Sequence, residues 1–213
     1  MKLWRIYAPN HFWGDPLDVR FYLCKKLAEI KNKKILDIGC GVGIILTCLD
    51  NTNKVLGIDI DENVLQVAKK LNPLFSFKKL DWHKLKTGQK FDVILLIHSL
   101  ELIDRGERLA ILSKIYDLLR KDGVLILTTP NRQNRYYRKK LNKLTEEEEE
   151  KELLTSTGFK GIIYGWNPFP IQAGHILKYL PGIFKLLEWL MMKNFRKEKC
   201  VAFYIEAIKK QIG

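Results

Sequence analysis

The chain's 213 residues, 46% hydrophobic and 29% charged, have the length and composition of one folded domain, which excludes a disordered or fibrous protein. A formal net charge of +13 favours polyanionic partners such as RNA or an anionic membrane surface. Because the lysines are spread along the whole chain, a generally lysine-rich composition explains the charge equally well.

Cysteine usage and the amino terminus both bear on the compartment. The cysteines, Cys24, Cys40, Cys48 and Cys200, form no C-x-x-C pair, so we expect neither a disulfide framework nor a zinc site, and we predict no metal. No apolar signal segment follows Met1. Both observations favour the cytoplasm.

The amino-terminal 31 residues predict an arm followed by a helix. Residues 1–16 carry several aromatic side chains, Trp13 among them, between Pro and Gly, which indicates an ordered arm or lid. Apolar residues at helical spacing predict a helix from Leu17 to Ile30.

The stretch from Lys34 to Gly43 organises the domain. A short apolar run bearing Asp37 opens into glycines at every second position, as in a strand that enters a nucleotide-binding loop. The dinucleotide fingerprint G-x-G-x-x-G needs a third glycine where Ile44 or Leu46 stands, and no Gly-Lys-Ser/Thr follows for a P-loop. A second apolar run ends at Asp59, about 20 residues after the first glycine, where such units place an acid on ribose hydroxyls. A structural turn with a strand-end acid is the alternative.

The motif D-x-G-x-G-x-G, from Asp37 to Gly43, resembles the first motif of the class I S-adenosylmethionine (SAM)-dependent methyltransferases, nearest in style to the small-molecule and quinone-biosynthesis types. The resemblance implies SAM as cofactor and S-adenosylhomocysteine (SAH) as product. It also implies that the leading helix closes over the cofactor, although a plain packing helix fits as well. The cofactor-binding residues that we predict are Asp37, Gly39, Cys40, Gly41, Gly43, Asp59, Ile60, Asp81, Trp82 and His98.

The elements after the loop continue the strand and helix alternation. We expect a helix from Gly43 to about Leu49, with free N–H groups toward the cofactor carboxylate, and a helix from Asp61, a candidate N-cap, to Leu71. A third strand, residues 75–80, ends at Asp81 and Trp82. By resemblance, this acid binds the adenine amine and its neighbour covers the ring. A solvated acid beside a core Trp is equally plausible.

Two more strands complete the parallel part. Residues 91–97 are almost all apolar, as in a strand covered on both faces, and residues 105–120 form an amphipathic helix that ends at Lys121-Asp122-Gly123 before a strand at 124–129. Regular alternation from 34 to 129 predicts an α/β fold with a doubly wound sheet. Residues 155–164 and 200–208 have the patterns of two last strands, and the resemblance implies that they form an antiparallel hairpin. We therefore expect one domain, 1–213, with a seven-stranded, mostly parallel sheet.

Two segments depart from regular alternation. Residues 132–143 form a loop rich in Arg and Lys around Tyr136 and Tyr137, followed by a capping box of Thr145 and Glu148 at an acidic helix start. The insertion 166–199 is apolar on nearly all sides from 176 to 195 but too interrupted to span a membrane. It is a substrate cap, a dimer surface or a membrane-surface helix, in that order of preference, with 171–195 as the candidate contact.

The acceptor site is expected at the carboxyl ends of the fourth and fifth strands. His98 is the candidate catalytic base, because imidazole can deprotonate a hydroxyl, although a lone His at a strand end is often structural. The chain reads Leu100-Glu101-Leu102 where many quinone-type relatives read Leu-Glu-His. The substrate-binding residues that we predict are Trp13, Ser99, Asn131, Tyr136, Tyr137 and Trp166.

Three functions remain open at this point. The first is methyl transfer to a small-molecule acceptor by in-line SN2 attack, where positioning supplies most of the catalysis. The second is an RNA methyltransferase that uses the basic residues 132–143. The third is a non-catalytic or membrane-associated protein with this fold.

Overall fold

Seven strands form one sheet in the order β3-β2-β1-β4-β5-β7-β6. The computed structural model describes residues 19–86, 88–131, 147–166 and 202–209, without the side chains of 19–22, 147 and 166. The strands are β1 Lys34–Ile38, β2 Lys54–Asp59, β3 Ser76–Lys79, β4 Phe91–Ile97, β5 Leu119–Pro130, β6 Phe159–Trp166 and β7 Ala202–Lys209. Strands β1 to β5 pair in parallel, and β7 pairs antiparallel with β5 and β6. The predicted fold class and the closing hairpin are confirmed.

Helices cover both faces of the sheet. They are α1 Val19–Ala28, α2 Glu62–Leu71, α3 Arg105–Leu118 and α4 Glu147–Ser156, with 3-10 turns at Ile45–Cys48, Trp82–Lys84 and Leu100–Leu102. Alternate residues along the strands feed two apolar clusters. Leu36 and Ile94 pack on the side of α3 and α4, while Ile35 and Val93 pack on the side of α1 and α2. Strands buried on both faces are what the near-continuous apolar runs predicted.

The segment after the glycine loop differs from the prediction. Instead of a helix from Gly43 to Leu49, the chain forms a 3-10 turn at Ile45–Cys48. Three of the residues near the turn, Ile44, Ile45 and Thr47, are β-branched and lose side-chain freedom in an α-helix. At Asp50 the side chain accepts the Thr52 N–H at 2.9 Å and closes a tight turn instead.

A disulfide joins Cys24 in α1 to Cys48 in the 3-10 turn, with Cα atoms 5.1 Å apart. The expectation of no disulfide is therefore wrong. Packing of α1 over the turn brings together two cysteines 24 residues apart in sequence, a proximity that cysteine spacing does not reveal. Cys40 is a buried free thiol.

Other predicted boundaries shift by a few residues. The turn at Lys121-Asp122-Gly123 lies within β5, where the pairing register with β4 shifts between Phe91 and Val93 and Asp122 adopts a φ of 58°. Asp61 caps α2 as expected, because its Oδ1 accepts the Asn63 N–H at 2.8 Å. The arm 1–16, the basic segment 132–143, Thr145 and the insertion interior lie outside the described residues.

The sheet topology places the start of the basic segment 132–143 and both ends of the insertion 166–199 at one edge of the sheet. Asn131 directly follows β5, at the carboxyl edge of the parallel strands. Trp166 pairs with Ala202, which also pairs with Pro130, so the chain leaves β6 and re-enters β7 at that same edge. In the described ranges, no helix is long and apolar enough to cross a membrane.

Candidate functional site

Three glycines after β1 adopt positive φ for different physical reasons. Gly39 has a φ of 73°, and a Cβ there would lie 2.5 Å from Ser99 Oγ. Gly43 has a φ of 68°, and a Cβ would crowd the side chains of Ala68 and Asn72. At Gly41 the φ is 52°, yet a Cβ would meet no described atom within 4 Å. Gly39 and Gly43 therefore let the loop pack against Ser99 and α2, whereas the backbone at Gly41 borders open space.

Asp59 at the end of β2 holds the glycine loop. Its Oδ2 accepts the Gly41 N–H at 2.8 Å, and its Oδ1 accepts the Asp61 N–H at 3.0 Å. Each carboxylate oxygen can accept a second hydrogen bond. The same side chain can therefore fix the loop and still receive two hydroxyls of a bound ribose.

Asp37 is a buried carboxylate at the heart of the site. Burial, followed by repulsion from Asp59, raises the pKa of Asp37 to about 7. Its Oδ2 has no hydrogen-bond partner among the described residues. A buried charged oxygen without a donor is costly, so the site is chemically suited to a cationic or N–H-bearing ligand group.

Cys40 does not present its thiol to the loop. The sulfur lies against β2, where a Cβ on Gly57 would be 2.9 Å from Sγ, and burial raises the thiol pKa, with Asp37 and Asp59 adding to the shift. Only its backbone is suited to a cofactor contact. Ile60, just past Asp59, is 68% exposed, which is unusual for a large apolar side chain.

The loop after β3 is held by His83, which the sequence analysis did not single out. Its Nδ1 lies 2.7 Å from Asp81 Oδ1 and its Nε2 lies 2.9 Å from Glu107 Oε1. These contacts raise the pKa of His83, Glu107 first and Asp81 second, while the backbone N–H and ring of His83 lower that of Asp81. Trp82 stacks on His83, with the centroids of the two rings 3.8 Å apart.

At the end of β4, His98 adopts a φ of 51°, a left-handed conformation that costs a non-glycine residue about 1–3 kcal/mol. Its backbone N–H donates to the Thr128 carbonyl at 3.0 Å. Its ring Nδ1 lies 3.2 Å from Oε1 of Glu101, a buried carboxylate. The sequence analysis missed Glu101, although an acid three residues after His98 is the spacing that one helical turn brings together.

A buried cation lies close to this pair. Arg108 of α3 is fully buried, and its guanidinium donates to the Ile103 carbonyl and to Glu149 Oε1, both at 3.3 Å. Burial lowers the pKa of Arg108, and Glu149, Glu150 and Glu101 oppose that shift. Arg108 thus interacts with the carboxylates of α4 and with Glu101 in the turn after β4, and Arg105 also pairs with Glu149 at 3.6 Å.

The predicted substrate residues are brought together only in part. Ser99 is buried, and its hydroxyl lies 3.3 Å from the Gly39 carbonyl and 3.2 Å from that of Ile97, so it joins β4 to the glycine loop. Asn131 is buried at the carboxyl edge, and Trp166 has its backbone at that edge. Trp13, Tyr136 and Tyr137 lie outside the described residues.

The side chains present are chemically suited to the polar groups of SAM. The Asp37 oxygen suits the cofactor's amine, Asp59 its ribose, and the open space at Gly41 allows close approach to the backbone. No cluster of metal-ligating side chains occurs in the part of the chain that the structure describes.

Residues 29–179 match a family model described as a methyltransferase domain. The ubiquinone biosynthesis O-methyltransferase of Haemophilus ducreyi is 29% identical over 149 residues, which is 60% of this chain and 62% of the relative. A Methanocaldococcus jannaschii protein named as a protein N5-glutamine methyltransferase is 39% identical over 87 residues, 38% of this chain and 44% of the relative. The chain thus spans about half the length of the curated relatives it matches.

Solved structures show the same fold. The plantazolicin methyltransferase BpumL, in complex with a monoazolic desmethylPZN analog and SAH, superposes with a TM-score of 0.67 at 19% identity, covering 97% of this chain and 90% of the other.

Proposed function

Because the chain belongs to the family of proteins with a methyltransferase domain, we propose that it transfers a methyl group from SAM to a small-molecule oxygen or nitrogen acceptor. The observation that carries the proposal is the buried Asp37 carboxylate, whose Oδ2 has no hydrogen-bond partner among the described residues and which stands two positions before the positive-φ Gly39. The cofactor's amine is a cation of the kind that such an oxygen needs.

Each residue of the site has a defined task in this proposal. When bound, SAM supplies a methyl group already activated on sulfur. Asp59 receives the ribose hydroxyls while it keeps the loop closed, and Asp81 and Ile60 receive the adenine. Asp37 orients the amine. The chain has then chiefly to hold the acceptor in line with the methyl group and to exclude water, a task that supplies on the order of 7–11 kcal/mol in well-oriented reactions.

The acceptor is expected beside His98 at the carboxyl edge of β4 and β5. The insertion leaves the sheet at Trp166 and returns at Ala202 on this edge, which supports its role as a cap over the acceptor. Several relatives are named for ubiquinone biosynthesis, which favours a planar, apolar acceptor. The basic segment that starts after Asn131 leaves RNA as the alternative acceptor.

Calorimetry with SAM, SAH and NAD tests the cofactor assignment. We expect SAM and SAH to bind and NAD not to bind. Replacing Asp59 with Asn should weaken SAM by about 1.5–3 kcal/mol, because a charge-assisted acceptor is lost. The control Asp61→Asn removes a charge two residues away but keeps a good helix cap, so it should leave affinity unchanged. NAD binding, or no SAM affinity in the wild type, would overturn the proposal.

A salt titration separates the two acceptor classes. RNA binding through several phosphate contacts falls steeply with ionic strength, whereas binding of an uncharged small molecule does not. We expect RNA affinity to be weak and methyl transfer to total RNA to be absent. RNA methylation that disappears with rising salt would instead select the RNA function.

The cytoplasm is the compartment that we propose. Cys24 and Cys48 would exist there as thiols, since the cytosol keeps such pairs reduced. Alkylation of the protein at the moment of cell lysis should therefore label both cysteines, and protection of both would place the chain in an oxidising compartment.

A further inference from the structure

We propose that Glu101 is a positioning residue that holds His98 as the base for a hydroxyl acceptor. This inference rests on the proposed methyl transfer and names its acceptor class. It starts from two unusual features in one turn: His98 has a left-handed backbone, and Glu101 is buried beside it.

The geometry fixes the orientation of the His98 ring. Nδ1 faces Glu101 Oε1 at 3.2 Å, so the proton of the neutral ring is held at Nδ1 and the lone pair remains on Nε2. None of the described residues forms a hydrogen bond with Nε2. The ring is 31% exposed while the Glu101 side chain is 9% exposed. The pair therefore buries its carboxylate and presents its basic nitrogen outward, at the edge where the acceptor is expected.

The surroundings of Glu101 leave room for a cationic partner. Glu101 Oε2 has no hydrogen-bond partner among the described residues, so Glu101 gains from a cation forming on His98. Arg108 of α3 interacts with Glu101, but it also interacts with Glu149 and Glu150 of α4 and with the neighbouring cation Arg105, so three acids share it. A protonated His98 would give Glu101 a cationic partner in direct contact.

A base of this kind matters most for a hydroxyl. A neutral amine attacks through its own lone pair, whereas a neutral hydroxyl oxygen is a weak nucleophile until its proton leaves. In the step proposed, the acceptor O–H proton moves to His98 Nε2 and the oxygen lone pair forms the O–CH₃ bond. The S–CH₃ bond breaks and its electron pair stays on sulfur, giving SAH.

The same turn also supplies an apolar surface. Leu102, the last residue of the 3-10 turn after β4, is 74% exposed although it is a large aliphatic side chain. An exposed Leu next to the His98–Glu101 pair suits the ring of a phenol or enol, with the hydroxyl directed to Nε2. The acceptor class inferred is thus a planar, weakly polar molecule that carries a hydroxyl.

The test compares 4-nitrocatechol with 4-nitro-1,2-phenylenediamine, a matched hydroxyl and amine pair, in wild type, Glu101→Gln, His98→Asn and the exposed control Glu152→Gln. We expect methylation of 4-nitrocatechol in preference to the diamine. In Glu101→Gln, kcat should fall about 10–100-fold with the KM for SAM unchanged. The acidic limb of its pH profile should move to lower pH, since loss of the anion disfavours the imidazolium. In His98→Asn, kcat should fall about 10²–10⁴-fold, and Glu152→Gln should match wild type.

The outcomes separate this inference from the proposed function. Absence of SAH binding in wild-type calorimetry would remove the proposed function itself. Intact SAH binding with preference for the diamine, or with neither probe methylated, would overturn the hydroxyl inference alone. If Glu101→Gln lowers kcat but leaves the acidic limb of the pH profile unmoved, Glu101 has only a structural role. An unchanged kcat would lead to the same conclusion.

Discussion

Replacement of Asp37 with Asn should stabilise the ligand-free protein at alkaline pH. Burial raises the pKa of Asp37 from 3.8 to about 7, so the folded protein holds a proton that the unfolded chain has already lost. Stability is therefore full below the unfolded pKa and falls as pH rises through the folded pKa. At about 1.36 kcal/mol per pKa unit, the difference between the folded and unfolded pKa values of Asp37 corresponds to a loss of about 4 kcal/mol of stability. About 3 kcal/mol of this loss occurs between pH 5 and pH 8.

Urea unfolding at several pH values measures this effect. Asn has the shape of Asp but does not titrate, so the stability of Asp37→Asn relative to wild type should rise by about 3 kcal/mol from pH 5 to pH 8. The same variant should bind SAM more weakly, because the amine loses its anion.

Asp92 provides a control, because its pKa is shifted in the opposite direction from that of Asp37. Desolvation raises its pKa, but the Lys34 N–H and Arg120 outweigh that effect and hold the pKa low. Its stabilisation is present above the unfolded pKa, so the difference between Asp92→Asn and wild type should be flat from pH 5 to pH 8. A flat difference for Asp37→Asn as well would refute the reasoning that Asp37 is a desolvated anion.

Three further predictions follow from single features of the site. Gly39→Ala should destabilise the fold by more than about 1 kcal/mol in urea unfolding, because its Cβ meets Ser99, whereas Gly41→Ala should fold but bind SAH at least tenfold more weakly in calorimetry. Since the pKa of His83 is raised, its stabilisation is present below the unfolded pKa and lost as pH rises through the folded pKa, so the Tm deficit of His83→Gln should shrink from pH 5.5 to pH 8.5. Replacing residues 168–197 with a short turn should preserve SAH binding and abolish methyl transfer, and full activity would exclude a substrate cap.

The sequence predicted the elements whose signals are local. Alternating strands and helices, the D-x-G-x-G-x-G loop and the Asp61 cap all depend on residues within a few positions of one another, and the structure has them where expected, except for the helix predicted after Gly43. The hydrogen bond from the Gly41 N–H to Asp59 was not predicted, because the sequence analysis assigned Asp59 only to a cofactor ribose. The sequence alone does not show which glycines allow close packing and which faces open space. The structure distinguishes Gly39 and Gly43, which pack closely, from Gly41.

Contacts between distant elements could not be predicted from one sequence. The Cys24–Cys48 disulfide depends on how α1 packs over a 3-10 turn, and the His83–Glu107 contact joins residues 24 positions apart. Helical periodicity also does not distinguish a short 3-10 turn from an α-helix, which explains the error after Gly43. The contact between Glu101 and His98 could have been predicted, since the two residues are three positions apart, but the burial of Glu101 could not.

A crystal structure of the full chain with SAH is the measurement that tests the central claim most directly. The account predicts the SAH amine within hydrogen-bond distance of Asp37 Oδ2, the ribose hydroxyls on Asp59, and the adenine against Ile60. SAH bound away from the glycine loop, or bound there with its amine turned away from Asp37, would contradict the account.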